Sequence, residues 1–254
     1  MLYDYQSTTI EVRDGRPGVA ILPVGVMEQE GDHLPVGAVT LVLEAVSRRV
    51  AEALPESVYL LPVLPFGTSA SHLDIAGTIS LSWSTMMDVV TDVVEALLAQ
   101  GFRRVVVING LGGPNEFMTR PRQNYIVKTA VRQLNYAHPE ADILWVQPFT
   151  AARQDLERIL TAPAEDMHAG ELITSLLLHL APALVQGKGK DFVPQADRSF
   201  LDYVRFRDVS PSGVWGRPGL ATADKGLQAI DAAARATVEY IHKSFKYLAE
   251  NKRR

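Results

Sequence analysis

The sequence predicts an α/β domain, a single unit with a largely parallel sheet and helices on both faces. Three observations carry that prediction. Short runs of apolar, often β-branched residues have the length and composition of strands buried on both sides. Between them lie longer stretches whose apolar residues recur every three or four positions, as on the buried side of a helix. Glycine or proline closes several of these segments. With 254 residues, 47% of them hydrophobic, the chain can bury one sizeable core. No internal repeat or low-complexity linker divides it, so residues 1–254 are read as one domain.

Taken in order, residues 19–24 (Val-Ala-Ile-Leu-Pro-Val) read as a buried strand that ends at Gly25. From Val39 onward, Val42, Leu43, Val46, Val50 and Leu54 keep helical spacing until Pro55 stops the pattern. Residues 58–64 read as a second strand. Residues 84–100 form the next helix, with Ser84 as its N-cap, a stripe of Met87, Val90, Val94 and Leu97, and Gly101 at its end. Residues 104–109 are the clearest strand and run into the turn Gly110-Leu111-Gly112-Gly113-Pro114, whose proline suits the first position of a helix. Residues 143–146 are a fourth strand, and residues 168–180 and 223–248 are further helices. Residues 185–222 contain glycine and proline with little periodicity; a stretch of that length is usually functional or wrapped over a partner.

Composition narrows the chemistry. The chain carries 25 Lys+Arg against 29 Asp+Glu, a net charge of −4, and its one basic cluster is the terminal Lys252-Arg253-Arg254. That balance argues against nucleic acid, which needs a clustered basic surface. The start, Met1-Leu2-Tyr3-Asp4-Tyr5, lacks the basic and apolar regions of a signal peptide. The longest apolar tract, residues 172–185, is interrupted by His179 and Pro182 and is too short to span a bilayer. A cytoplasmic protein without membrane contact is expected. There is no cysteine, which excludes disulfides, thiolate metal sites and cysteine nucleophiles.

In a parallel sheet the ligand crevice lies at the carboxyl ends of the strands. Polar segments at residues 28–33, 67–74 and 109–115 follow expected strands, and a fourth, 166–171, opens a helix. The first, Glu28-Gln29-Glu30-Gly31-Asp32-His33, sets three carboxylates beside an imidazole. Close carboxylates raise one another's pKa and can divide acid and base roles or hold a cation; the plain alternative is an acidic surface loop. The glycine turn after Asn109 has neither the third glycine of a dinucleotide fingerprint nor the Gly-Lys-Ser/Thr ending of a P-loop, so it reads as a tight turn. Gly67-Thr68-Ser69-Ala70-Ser71 is like a nucleophile elbow but ends in serine, and Ser69, His72 and Asp74 are too close in sequence for a standard triad. His168 and Glu171 fall one turn apart at a helix start, where Glu171 also suits the helix dipole.

These motifs, with Pro65–His72, Gly77-Thr78-Ile79-Ser80-Leu81 and Ser212-Gly213-Val214-Trp215-Gly216, resemble those of the creatininase (creatinine amidohydrolase) family, in order and spacing, from about residue 18 to 240. The resemblance implies a compact α/β domain, usually oligomeric, that hydrolyses a cyclic amide or formamide at a dinuclear Zn or Mn centre. Carried over residue by residue, Glu28 matches the family's first metal motif. Its metal-binding histidine corresponds to Glu30 and its bridging aspartate to Val39. The histidine of Asn-Gly-His-Gly-Gly corresponds to Leu111, and the carboxylate five residues after His168 to Ile173. The dinuclear centre is therefore not expected and no metal is assigned, although a single divalent ion held by Glu28, Glu30 and His168 or Glu116 stays open.

Two classes of function follow. One is a metal-independent enzyme on a small polar molecule such as a cyclic amide or formamide, with Glu28, Glu30 and His168 as acid–base residues and with Asp32, His33, His72, Glu171 and Trp215 lining the substrate pocket. Burial of Glu28, Glu30 and Asp32 together would raise at least one pKa toward neutrality. The other is an inactive homologue that binds a ligand or pairs with an active relative. A homo-oligomer, or a hetero-oligomer with such a relative, is expected, and creatinine hydrolysis itself is not.

Overall fold

The computed structural model describes residues 1–110 and 122–252. Among the described residues five strands, β1 (Leu2–Tyr3), β2 (Val19–Val24), β3 (Val58–Leu60), β4 (Arg104–Asn109) and β5 (Asp142–Val146), form one sheet in the order β1-β3-β2-β4-β5. Every pairing is parallel, with Ile21 opposite Leu60 on one side and Val106 on the other. This is the α/β architecture that the alternation of apolar runs and amphipathic stretches predicts.

The helices are α1 (Thr9–Gly15), α2 (Ala38–Ala53), α3 (Trp83–Ala99), α4 (Arg122–Ala137), α5 (Pro148–Ala151), α6 (Arg153–Ile159), α7 (Glu171–Leu180), α8 (Phe206–Val209) and α9 (Ala223–Asn251). All six residues of β2 are buried, but successive side chains go to opposite faces. Val19 and Ile21 meet a core built from α2, α7 and α9, together with Val106 and Ile108. Ala20, Leu22 and Val24 meet a second core from α3 and α4, together with Val105 and Val107. The sheet is therefore sandwiched, and its central strands show no polar face for sequence to betray.

Three expectations are corrected. The N-cap of α3 is Ser82, whose hydroxyl accepts the Thr85 N–H at 3.2 Å, and not Ser84. The second strand is shorter than residues 58–64; past Leu60 only Leu64 returns to bridge Val24. Helix α7 starts at Glu171, so His168 precedes it in an extended segment, and the two residues do not share a helix face as the i, i+3 reading supposes. The edge strand β1 and helix α1 had no prediction. Leu111 to Pro114 and Glu116 lie outside the described residues.

The strand order places the site. From β2 the chain moves to β3 on one side, then returns past β2 to β4 on the other, so the topological switch point lies between the carboxyl ends of β2 and β4. The segment holding Glu28 leaves β2 at that point, and the loop after β3 carries His72.

Candidate functional site

Directly beyond β2, Met27 pairs with Ile79 in an isolated antiparallel bridge, and the Gln29 N–H donates to Thr78 Oγ1 at 3.0 Å. These bonds carry the chain across the mouth of the sheet and bury Glu28, Gln29 and Glu30 to 2–3% exposure. His72 arrives on a single 3-10 turn, Ala70–His72. His168 arrives by a two-way backbone bridge with Trp215: the Trp215 N–H donates to the His168 carbonyl at 2.8 Å and the His168 N–H to the Trp215 carbonyl at 3.0 Å. Phe206 closes the group, with its ring 4.3 Å from the His72 ring, nearly parallel, and edge-on to His168 at 4.9 Å.

Glu28 lies between the two imidazoles. Its Oε1 is 3.5 Å from His168 Nδ1 and its Oε2 is 3.9 Å from His72 Nε2. Glu30 Oε2 is 3.9 Å from His168 Nε2 and has no hydrogen-bond partner. Burial lifts the Glu28 carboxyl above its ordinary range, against the opposing pull of His168 and Ser69. It lifts Glu30 much further, reinforced by the neighbouring Glu28 and Asp166 charges and opposed by the Ala169 N–H. Asp166 is raised to about 6 by burial, although it accepts the Glu171 and Leu172 N–H groups at the start of α7. His168 is lowered to about 4, by burial first and then by the His72 ring.

Whether these residues suit a cation can be tested on the hydrogen bonds. His168 Nε2 is 2.7 Å from the Gln29 carbonyl oxygen, so Nε2 carries the proton and donates it there. That leaves the Nδ1 lone pair facing a carboxylate oxygen 3.5 Å away. Two electron-rich atoms at that separation call for a proton or a positive ion between them. Ligand atoms of Glu28, His72 and His168 all lie within 4.8 Å of one another. Ligands about 2.0–2.1 Å from a tetrahedral ion are separated by about 3.4 Å, so modest closure suffices. Two imidazoles and a carboxylate are borderline-to-hard donors that suit Zn or Mn, and three protein ligands leave a position open, as catalytic sites do. The set fits a single divalent ion.

Among the expected site residues, Glu28, Glu30 and His168 come together, and His72 joins them as a candidate ligand. The candidate donor set thus has His72 where the sequence reading had Glu30. Trp215 is 2% exposed and acts through the bridge that holds His168. His33 is buried but turned to α7, where Nε2 meets Thr174 Oγ1 at 2.9 Å; burial pulls its pKa down. Two expectations fail. Asp32 is exposed, so it does not share the burial of Glu28 and Glu30. Glu171 does not face a ligand: its carboxylate accepts the N–H groups of Thr161 and Ala162 at 2.9–3.0 Å and pairs with Lys225 of α9. Phe206 was not foreseen, and Gln29 and Asp166 were placed only as members of the polar segments 28–33 and 166–171. Gln29 sits between two recognised acids and could have been read from them, whereas Phe206 lies in the aperiodic 185–222 stretch and left no signal.

Two positions that the resemblance assigns to ligands hold aliphatic side chains here. Val39, in α2, sits beside Gly110, with Cγ1 3.3 Å from where a Cβ on that glycine would be. Ile173, in α7, packs against the core of α2, α7 and α9.

Comparison with known proteins follows the same line. The sequence model of the creatininase family, creatinine amidohydrolase, matches residues 4–241. A mycofactocin precursor peptide peptidase of Mycobacterium tuberculosis is 31% identical over 232 residues, 87% of this chain and 82% of that protein. A creatinine amidohydrolase of Pseudomonas putida is 30% identical over 178 residues, 66% of each. A solved structure named "Creatininase Mn" superposes with a TM-score of 0.77 at 22% identity, covering 96% of this chain and 99% of that one.

Proposed function

The chain belongs to the creatininase family, and from that premise we propose that it hydrolyses an amide C–N bond at the Glu28–His72–His168 cluster with the help of one divalent ion. The observation that carries this reading is the meeting of those three donors, with Glu30, its pKa raised by burial, beside them, at the switch point of the sheet. The two relatives above are named for a peptide and for creatinine; both substrates contain an amide, and hydrolysis of that bond is the shared chemistry adopted here. With Val39 and Ile173 unable to ligate, one ion replaces the pair that the family resemblance implies.

When bound, a divalent ion at this site supplies Lewis acidity toward a carbonyl and toward water. The remaining work falls to the chain. Glu28 contributes the negative charge that holds the ion. His72 and His168, braced by Phe206, fix the direction of approach. Glu30, whose pKa burial and the Glu28 charge raise well above the ordinary range, is placed to give a proton to the departing amine nitrogen. Trp215 and Phe206 keep bulk water from the rings.

The test combines Zn2+ and Mn2+ titration calorimetry with a hydrolysis screen of creatinine, N-formyl compounds and short peptides. Wild type is expected to take up one ion and to cleave at least one amide class. Glu30→Gln is expected to keep ion affinity within a few-fold while kcat falls about 10²–10⁴-fold, the usual loss for a general acid. Turnover that survives full chelation would instead favour metal-independent acid–base chemistry, and no turnover with any amide would favour a ligand-binding homologue.

A further inference from the structure

We propose that the Gln29 carboxamide sets the tautomer of His72 and thereby decides whether its Nε2 carries a hydrogen or a lone pair for an ion. The consequence for the ion rests on the reading above, but the tautomer assignment does not.

Gln29 is 3% exposed. Its Oε1 accepts the N–H of Gly31 at 3.0 Å, which assigns the amide nitrogen to the opposite side, facing the two rings. There Nε2 lies 2.9 Å from His72 Nδ1. Donation from that nitrogen to His72 Nδ1 assigns the lone pair to Nδ1 and the single ring hydrogen to Nε2, on the side of Glu28 Oε2 at 3.9 Å. In that tautomer His72 Nε2 has no lone pair to offer an ion. Ligation through Nε2 requires loss of that hydrogen to solvent and uptake of one at Nδ1, with no net change in protonation. It also requires the carboxamide to turn so that Oε1 accepts Nδ1–H. An imidazole ligand whose other nitrogen donates to an oxygen is the usual arrangement around a metal. Turning costs Gly31 its acceptor, so the resting arrangement is favoured until an ion arrives.

His168 behaves differently: its Nε2 also lies 2.9 Å from Gln29 Nε2, but it cannot accept from the amide while it carries a hydrogen, so the amide donates to His72 alone. Its Nε2–H is held by the Gln29 backbone carbonyl at 2.7 Å, which a side-chain rotation does not move. Gln29 therefore fixes one ring through its backbone and the other through its side chain. The seat of the carboxamide is shaped to match. Gly213 has φ +72°, and a Cβ there would lie 2.1 Å from Gln29 Oε1, so only glycine admits the amide at this point.

The test is nitrogen NMR of 15N-histidine-labelled protein, full chain, with and without Zn2+. Ion-free wild type is expected to show both His72 and His168 as the Nε2–H tautomer, and Zn2+ is expected to move His72 alone to Nδ1–H. Gln29→Glu, which offers oxygen to Gly31 and to His72 at once, is expected to place His72 on Nδ1–H before any ion is added. Gln29→Met keeps the volume and is expected to leave His72 distributed between tautomers while His168 stays on Nε2–H, an internal check that the site is still folded. His72 on Nδ1–H in the ion-free wild type, or His72 unmoved in both variants, overturns the proposal. Zn2+ that shifts neither ring counts against an ion site at Glu28, His72 and His168, and the two failures are read from different spectra.

Discussion

Asp166 and His168 stand two residues apart, and the same burial shifts them in opposite directions. Asp166 ionises at about 6 where 3.8 is ordinary, and His168 takes up a proton at about 4 where 6.5 is ordinary. For the acid, the unfolded chain gives up its proton first, so folding loses stability as pH rises from about 4 to 6. For the base, the unfolded chain holds the proton longer, so folding gains stability over the same rise. Each effect is about 3 kcal/mol at 1.36 kcal/mol per pH unit of separation, and the two nearly cancel. Replacing one exposes the other. Urea unfolding at pH 4 and pH 6 is expected to show Asp166→Asn gaining about 3 kcal/mol more with pH than wild type, and His168→Gln changing by a similar amount in the opposite sense. Wild-type slopes in both variants would contradict the burial assigned to these groups. At this scale the sequence was informative where chemistry is concentrated: Glu28 and Glu30 announce themselves beside a strand end. It was silent on Phe206, because an aromatic residue in an aperiodic stretch carries no periodicity from which to read its partner.

The contact between α7 and α9 shows how an element takes a residue out of the site. Glu171 satisfies two backbone N–H groups and Lys225, so it joins the loop after α6 to α9. Alongside it, a Cβ on Gly226 would fall 2.0 Å from the Ser175 carbonyl, so the helices touch through backbone. Glu171→Leu strands these partners and is expected to cost about 3–5 kcal/mol in denaturant unfolding, as breaking a buried ion pair does. Its Zn2+ affinity is expected to match wild type at a temperature where both are folded. An affinity loss without a stability loss would return Glu171 to the ligand pocket. The helix itself was legible from its apolar spacing, but its start was not. Glycine at 170 and the backbone bridge of His168 end the regular pattern through tertiary contacts that no local propensity encodes, and so His168 and Glu171 part company. The two-residue strand β1 was invisible for a similar reason: it exists only through its register with Val58 and Tyr59.

For the molecule as a whole, the order β1-β3-β2-β4-β5 follows from buried strands alternating with helices, and it puts loops from distant parts of the chain at one crevice. Sequence gave the class of fold because periodicity is written residue by residue. It could not give the donor set, since His72 and His168 stand 43 and 139 residues beyond Gln29, the neighbour of Glu28, and meet it only through the sheet. The account stands on that meeting being an ion site, and the most direct measurement is the stoichiometry of Zn2+ bound by the purified chain, by calorimetry with elemental analysis, in wild type and in Glu28→Ala. One equivalent bound by wild type and none by the variant is the predicted result; two equivalents, none, or binding unchanged by loss of Glu28 would contradict it.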